Sequence, residues 1–255
     1  MSRQTGHQVS YTAFPIHIEE TVMKRMILAV VLVVSVQAAA QTSSAPSASS
    51  NPKVRAITGF VRLDRATYQK QIADALVVLR RVKAEFESSG YAVETVRLTT
   101  QPVAELVAGM SEEQALAFLA QLDELSVKEN FLPNVGPGML HDADDPATMH
   151  LLERALSTLP NIEASTIIAD ESGIHWRTIR RTAALVKYVS EHSPRSQGTF
   201  NFTTTAMLKP FTPFFPGSYH TGAGRQFAIG FEGELTSSAT SSPKIRETPK
   251  LLRPI

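Results

Sequence analysis

Two short stretches of this 255-residue chain gather side chains whose types and spacing could do chemistry. Asp170 and Glu171 follow the apolar run Ala164–Ala169, and His175 stands four positions after Glu171. Carboxylates at the end of a strand, with an imidazole one turn away, are the groups that general acid–base catalysis uses. The same residues also suit the opening of a helix, where Ser172 is an ordinary cap. Further on, Tyr219 and His220 precede Gly222-Ala223-Gly224 and Arg225. A glycine-rich turn presents backbone N–H groups to an anion, and an arginine beside it adds charge. The competing reading of the turn is a flexible hairpin, because a lone pair of glycines that opens no helix is a weak signal. The catalytic candidates are therefore Asp170, Glu171 and His175, and the ligand-binding candidates are Tyr219, His220, Gly222, Gly224 and Arg225.

Three other groupings read as structural. His141, Asp142, Asp144 and Asp145 lie within five residues, but their spacing matches no calcium loop. They read as a solvated turn whose Asp145 caps the following helix, and no metal is assigned. Arg177, Arg180, Arg181 and Lys187 read as the solvated face of a helix. Lys209–Pro216 packs three Phe and three Pro into eight residues, and in a barrel such a segment is expected to lie across the mouth.

The elements that must position these residues alternate. Val54–Leu63 is β-branched and apolar, a buried strand. Tyr68, Ile72, Leu76, Leu79, Val82 and Phe86 recur at helical spacing, and Gly90 closes that helix. Tyr91–Leu98 alternates as a strand. Ser111 to Gln114 forms a capping box before a helix that buries Ala115, Phe118, Leu119, Leu122 and Leu125. Phe131–Val135 is a short strand. Asp145-Pro146 opens a helix with Met149, Leu152, Leu156 and Leu159 inside. Ala164–Ala169 is a strand, and the helix after Ser172-Gly173 is expected to turn Trp176, Ile179, Ala183, Val186 and Val189 inward. Thr199–Leu208 and Gln226–Phe231 are the last strands. The order βαβαβαβαββ implies right-handed crossovers and a mainly parallel sheet.

Composition narrows the function classes. Lys and Arg total 25 against 24 Asp and Glu, a formal net charge of +1, so the strongly basic footprint of a dedicated nucleic-acid binder is missing. Cysteine is absent, which excludes disulfides, thiolate metal sites, iron–sulfur clusters and cysteine nucleophiles. Met26–Ala40 is uncharged and mostly apolar, Lys24 and Arg25 precede it, and three alanines end it. This reads as a secretory signal that starts near Met23 and is cleaved near Ala40, too short to stay as a spanning helix. The expected organisation is an upstream extension and signal over 1–40, a flexible linker over 41–52, an α/β domain over 53–233 and a disordered tail over 234–255.

Lys53–Leu63, Leu132–Pro137, and above all Phe214–His220 followed by Phe227–Glu232 resemble the domain of unknown function 711 family. That family is grouped by fold with pyruvate formate-lyase and ribonucleotide reductase, as a ten-stranded α/β barrel. The resemblance implies an α/β fold, here the N-terminal part of such a barrel, since only about six strands are present and the pattern breaks after Gly233. It brings no catalytic set. The radical enzymes of that fold need a cysteine that this chain lacks, so radical chemistry is excluded. The resulting expectation is an exported protein that binds a small molecule, with its enzymatic status and cofactor left open. The alternative is a binding or assembly protein, self-associating as a homodimer, or a truncated fragment.

Overall fold

A computed structural model describes residues 52–232. The expected signal, nearly all of the linker, and the tail fall outside the described residues. Among these the chain alternates strand and helix as its periodicity dictates: β1 (Lys53–Val61), α1 (Tyr68–Ser88), β2 (Val93–Thr99), the one-turn α2 (Val103–Leu106), α3 (Glu112–Glu129), β3 (Leu132–Pro137), α4 (Ala147–Thr158), β4 (Glu163–Asp170), β5 (Gly173–Ile174), α5 (Trp176–His192), a 3₁₀ segment (Pro194–Asn201), β6 (Phe202–Ala206) and β7 (Arg225–Glu232).

The helix ends show why the boundaries fall where they do. Gly90 closes α1 at a left-handed φ of 83°, which lets Gly90 N–H reach Glu87 O and Tyr91 N–H reach Phe86 O, the double closure of a Schellman end. The rings of Tyr91 and Phe86 then meet edge to face at 5.5 Å. Ser111 and Gln114 form the expected reciprocal box at the start of α3. At α4 the helix opens one residue later than the sequence implies: Pro146 takes the cap position, while Asp145 still accepts the Ala147 N–H at 2.9 Å.

The sheet runs β7-β1-β2-β3-β4-β6, with β5 folded back onto the end of β4. Strands β1, β2, β3, β4 and β6 are parallel, and β7 runs antiparallel along β1. The fold is α/β, and the sheet is open: β6 and β7 stand at its ends.

The two faces of the sheet differ in chemistry. Side chains alternate across a strand. Ile57, Val61, Val96, Leu98 and Val135 join the buried residues of α1, α3 and α4 in one apolar core. The alternate positions make the other face. Strand register sets Phe60, Thr99, Asn134 and Glu163 in one row across four strands, with Thr58 and Arg97 in the next. Phe60 is buried but stands apart from the helix-side core, because no helix among the described residues covers this face. The strap between β6 and β7 covers it instead.

Helix α5 departs from the expected inward stripe. Its buried residues are Thr178, Thr182, Leu185 and Val189, whereas Trp176 is 60% exposed and Val186 39%. The physical reason is the Thr178 pair of bonds: its N–H and its hydroxyl both reach Asp142 Oδ1. This anchor, on the loop before α4, rotates the start of α5 so that threonines face in.

Candidate functional site

The loops after the parallel strands gather on one rim, where sites in α/β folds form. An open cavity of about 550 Å³ lies over the end of β1, lined among others by Arg62, Arg65, Gln101, Glu105, Gly224 and Arg225. Its floor is built by side chains that satisfy backbone. Gln101 accepts from Leu63 N–H at 2.9 Å and donates to Leu63 O at 2.8 Å, and Gln71 does the same for Asp64 N–H and Arg62 O. Arg62 is held by Glu105 at 2.6 Å, and Arg65 donates to Ala108 O at 2.7 Å. Among the described residues the Arg225 guanidinium pairs only with Asp74, at 3.7 Å, and it stands half exposed at the mouth. Gly222 and Gly224 adopt left-handed φ values of 71° and 99°, with open space where a side chain would stand.

The strap over residues 207–224 holds the other ligand-binding candidates, and it separates them. Asn134 donates from Nδ2 to Pro216 O and Ser218 O, each at 2.9 Å, while its Oδ1 accepts Gly136 N–H. Phe211 packs edge to face on Phe60 at 5.6 Å and on His220 at 5.2 Å. The Lys209–Pro216 segment thus lies across this face of the open sheet rather than across a barrel mouth. His220 is fully buried, donates its N–H to Thr100 O at 2.8 Å, and has Nε2 3.1 Å from Gly224 O. Its Nδ1 is buried without a partner, and burial pushes the imidazole pKa down. His220 therefore braces the glycine turn from behind. Tyr219 goes elsewhere: burial raises its hydroxyl pKa, and the charges it feels are Lys209 and Glu171. Gly224 and Arg225 reach the cavity, and Tyr219 and His220 do not line it.

Two of the three acid–base candidates, Asp170 and His175, meet at the end of β4. Asp170 Oδ1 accepts from the Ser172 N–H at 2.7 Å and the Ser172 hydroxyl at 2.5 Å. These bonds, with smaller contributions from His175 and His141, hold its carboxyl far below the usual range. His175 is buried; its Nδ1 lies 3.0 Å from Ile167 O and its Nε2 3.2 Å from Asp170 Oδ1. His141 joins from the loop after β3, with Nδ1 3.2 Å from Asp170 Oδ2. Glu171 turns away and pairs with Lys209, which lowers its pKa and raises that of the lysine.

One pair escapes a sequence reading altogether. On the helix-free face Glu163 is largely desolvated, and this pushes its carboxyl up to about 7, with Arg97 the opposing influence. Arg97 donates Nε–H to Thr95 Oγ1 at 2.9 Å and stands over the Phe215 ring; burial lowers its own pKa. The signal for both is the strand alternation of β2 and β4, which puts polar residues opposite the apolar core.

No curated protein matches this sequence. The family described as Uncharacterised ACR (DUF711) matches residues 48–241, and the chain belongs to that family.

Proposed function

We propose that this protein binds a small anionic molecule at the rim cavity over the end of β1. The observation that carries the reading is the half-exposed Arg225 beside the open backbone of Gly224, at a cavity lined by two further arginines. Arg62 and Arg65 are engaged by Glu105 at 2.6 Å and by a backbone carbonyl at 2.7 Å, whereas Arg225 is held only loosely by Asp74 at 3.7 Å, so Arg225 is the guanidinium freest to fork onto a carboxylate or phosphate. The domain is read as part of a larger barrel of the pyruvate formate-lyase type, and the protein as exported through its N-terminal signal. Radical chemistry that depends on a cysteine is closed to a chain that has none.

The test is a thermal melt of the full chain with inorganic phosphate and with citrate. Binding raises the midpoint in a saturable way, and Arg225→Ala abolishes the rise. No saturable rise with either anion, or an equal rise in Arg225→Ala, overturns the reading. A second reading, self-association, is favoured by the uncovered end strands β6 and β7 and by Phe214, 59% exposed on the strap. It predicts a dimer in sedimentation that Phe214→Ser dissociates.

A further inference from the structure

The geometry points to a mononuclear site for a divalent transition metal, held by His175 Nε2, the Asp170 carboxylate and His141 Nδ1. Three observations carry it, and none depends on the anion cavity.

The first is the tautomer of His175. Its Nδ1 faces Ile167 O, and a carbonyl only accepts, so the proton sits on Nδ1. In the neutral ring the lone pair is then on Nε2. A backbone carbonyl that fixes the second nitrogen in this way is the usual outer support of a metal-binding histidine.

The second is the state of that lone pair. His175 is 2% exposed, and its Nε2 is buried with no well-aligned hydrogen bond. It nevertheless lies 3.2 Å from Asp170 Oδ1. A buried imidazole lone pair beside a partly exposed carboxylate suits a cation between them.

The third is spacing. Nitrogen and oxygen ligands bind such metals at about 2.0–2.2 Å, which sets neighbouring ligand atoms roughly 3.0–3.5 Å apart at ordinary coordination angles. His175 Nε2 lies 3.2 Å from Asp170 Oδ1 and His141 Nδ1 3.2 Å from Oδ2, on either side of the carboxylate, with the two ring centroids 6.4 Å apart. Among the described residues no three such side chains yet enclose one point. His141, whose side chain is 67% exposed, is the ligand that closes on the ion.

Two imidazoles and one carboxylate, with no thiolate, select zinc, iron(II), cobalt(II) or manganese(II) over calcium and magnesium. The exposed side of His141 leaves the remaining positions to water. Ser172 steadies the carboxylate through its two hydrogen bonds. Asp144 steadies the His141 loop by accepting the N–H groups of Leu140 and His141. The nearby cations are already engaged: Arg177 by the carbonyls of Asp142 and Asp144, and Lys209 by Glu171.

The experiment is calorimetric titration of the chelator-treated full chain with Zn²⁺, together with the visible spectrum of the Co²⁺ form. We expect one ion per chain. His141→Ala weakens binding at least tenfold, Asp170→Asn at least a hundredfold, and His150→Ala, on the exposed face of α4, leaves it unchanged. No saturable binding, or equal affinity in His141→Ala and the parent, overturns the site and leaves Asp170 and His175 as a proton-sharing pair. Because His141 is exposed, its variant decides the matter even if Asp170→Asn fails to fold.

Discussion

Arg97 stands over the ring of Phe215, with its guanidinium carbon 4.6 Å from the ring centroid. This contact fastens the strap between β6 and β7 to the face of the sheet that no helix among the described residues covers. A cation over an aromatic face contributes about 0.5–2 kcal/mol, more as water is excluded. Arg97 is only half-buried, and its stacking works alongside the hydrogen bonds of Asn134.

Asn134 is the stronger fastener. Asn134→Ala takes their side-chain partner from the Ser218 carbonyl and the Gly136 N–H, and leaves Pro216 O with the Ser218 N–H alone. A loss of about 2–3 kcal/mol follows from stranding buried polar groups. In urea denaturation the midpoint falls while the slope stays the same. A variant as stable as the parent would show that the strap is held by its aromatic contacts alone.

Glu163 sets a pH dependence with a definite sign. Its carboxyl titrates near 7 in the folded chain against an ordinary value of 4.5. Between those values the folded state keeps a proton that the unfolded chain has released, so stability falls as pH rises across this window and then levels off. The span amounts to about 2 kcal/mol after allowance for the residue's partial exposure. Glu163→Gln removes this slope and is the more stable protein at pH 8. Denaturation of both proteins at pH 5 and pH 8 checks it; parallel curves would place Glu163 in water.

The rotation of α5 separates two neighbours in sequence. Leu185 is fully buried and Val186 exposed. Leu185→Ala costs about 2–5 kcal/mol through the cavity it leaves, whereas Val186→Ala changes stability by less than about 0.5 kcal/mol. Comparable losses at both positions would mean that α5 turns the other way.

The sequence reveals elements better than faces. The stripes of α1, α3 and α4 are legible because most of their inward positions are apolar, down to Leu152 and Leu119 at zero exposure, although Asp123, Ser126 and Ser157 are buried with them. The stripe of α5 is not, because two of its inward residues are threonines and a tryptophan and a valine face out. Strand β5, only two residues long, carries no periodicity to read. The site is legible in part: Asp170 and His175 are close in sequence and in space, but His141 reaches them only because parallel pairing sets the ends of β3 and β4 side by side. Tyr219 and Arg225 look like neighbours in sequence. Yet Arg225 pairs with Val61 in the sheet, while the Phe211 N–H fastens Tyr219 O to the strap, so they part.

Strand β7 lies along β1 over the full length of both, from Lys53 opposite Glu232 to Val61 opposite Arg225. Among the described residues, the first strand made is therefore completed by the last. At roughly 5–20 residues per second, the about 170 residues between them occupy on the order of 10–30 s of synthesis. Throughout that interval the outer row of N–H and C=O groups on β1, beside some of the most apolar side chains of the chain, is free to pair with a strand of another molecule. The vulnerable moment of this protein is its own translation, and a chaperone that shields residues 53–61 until Glu232 has emerged would protect it.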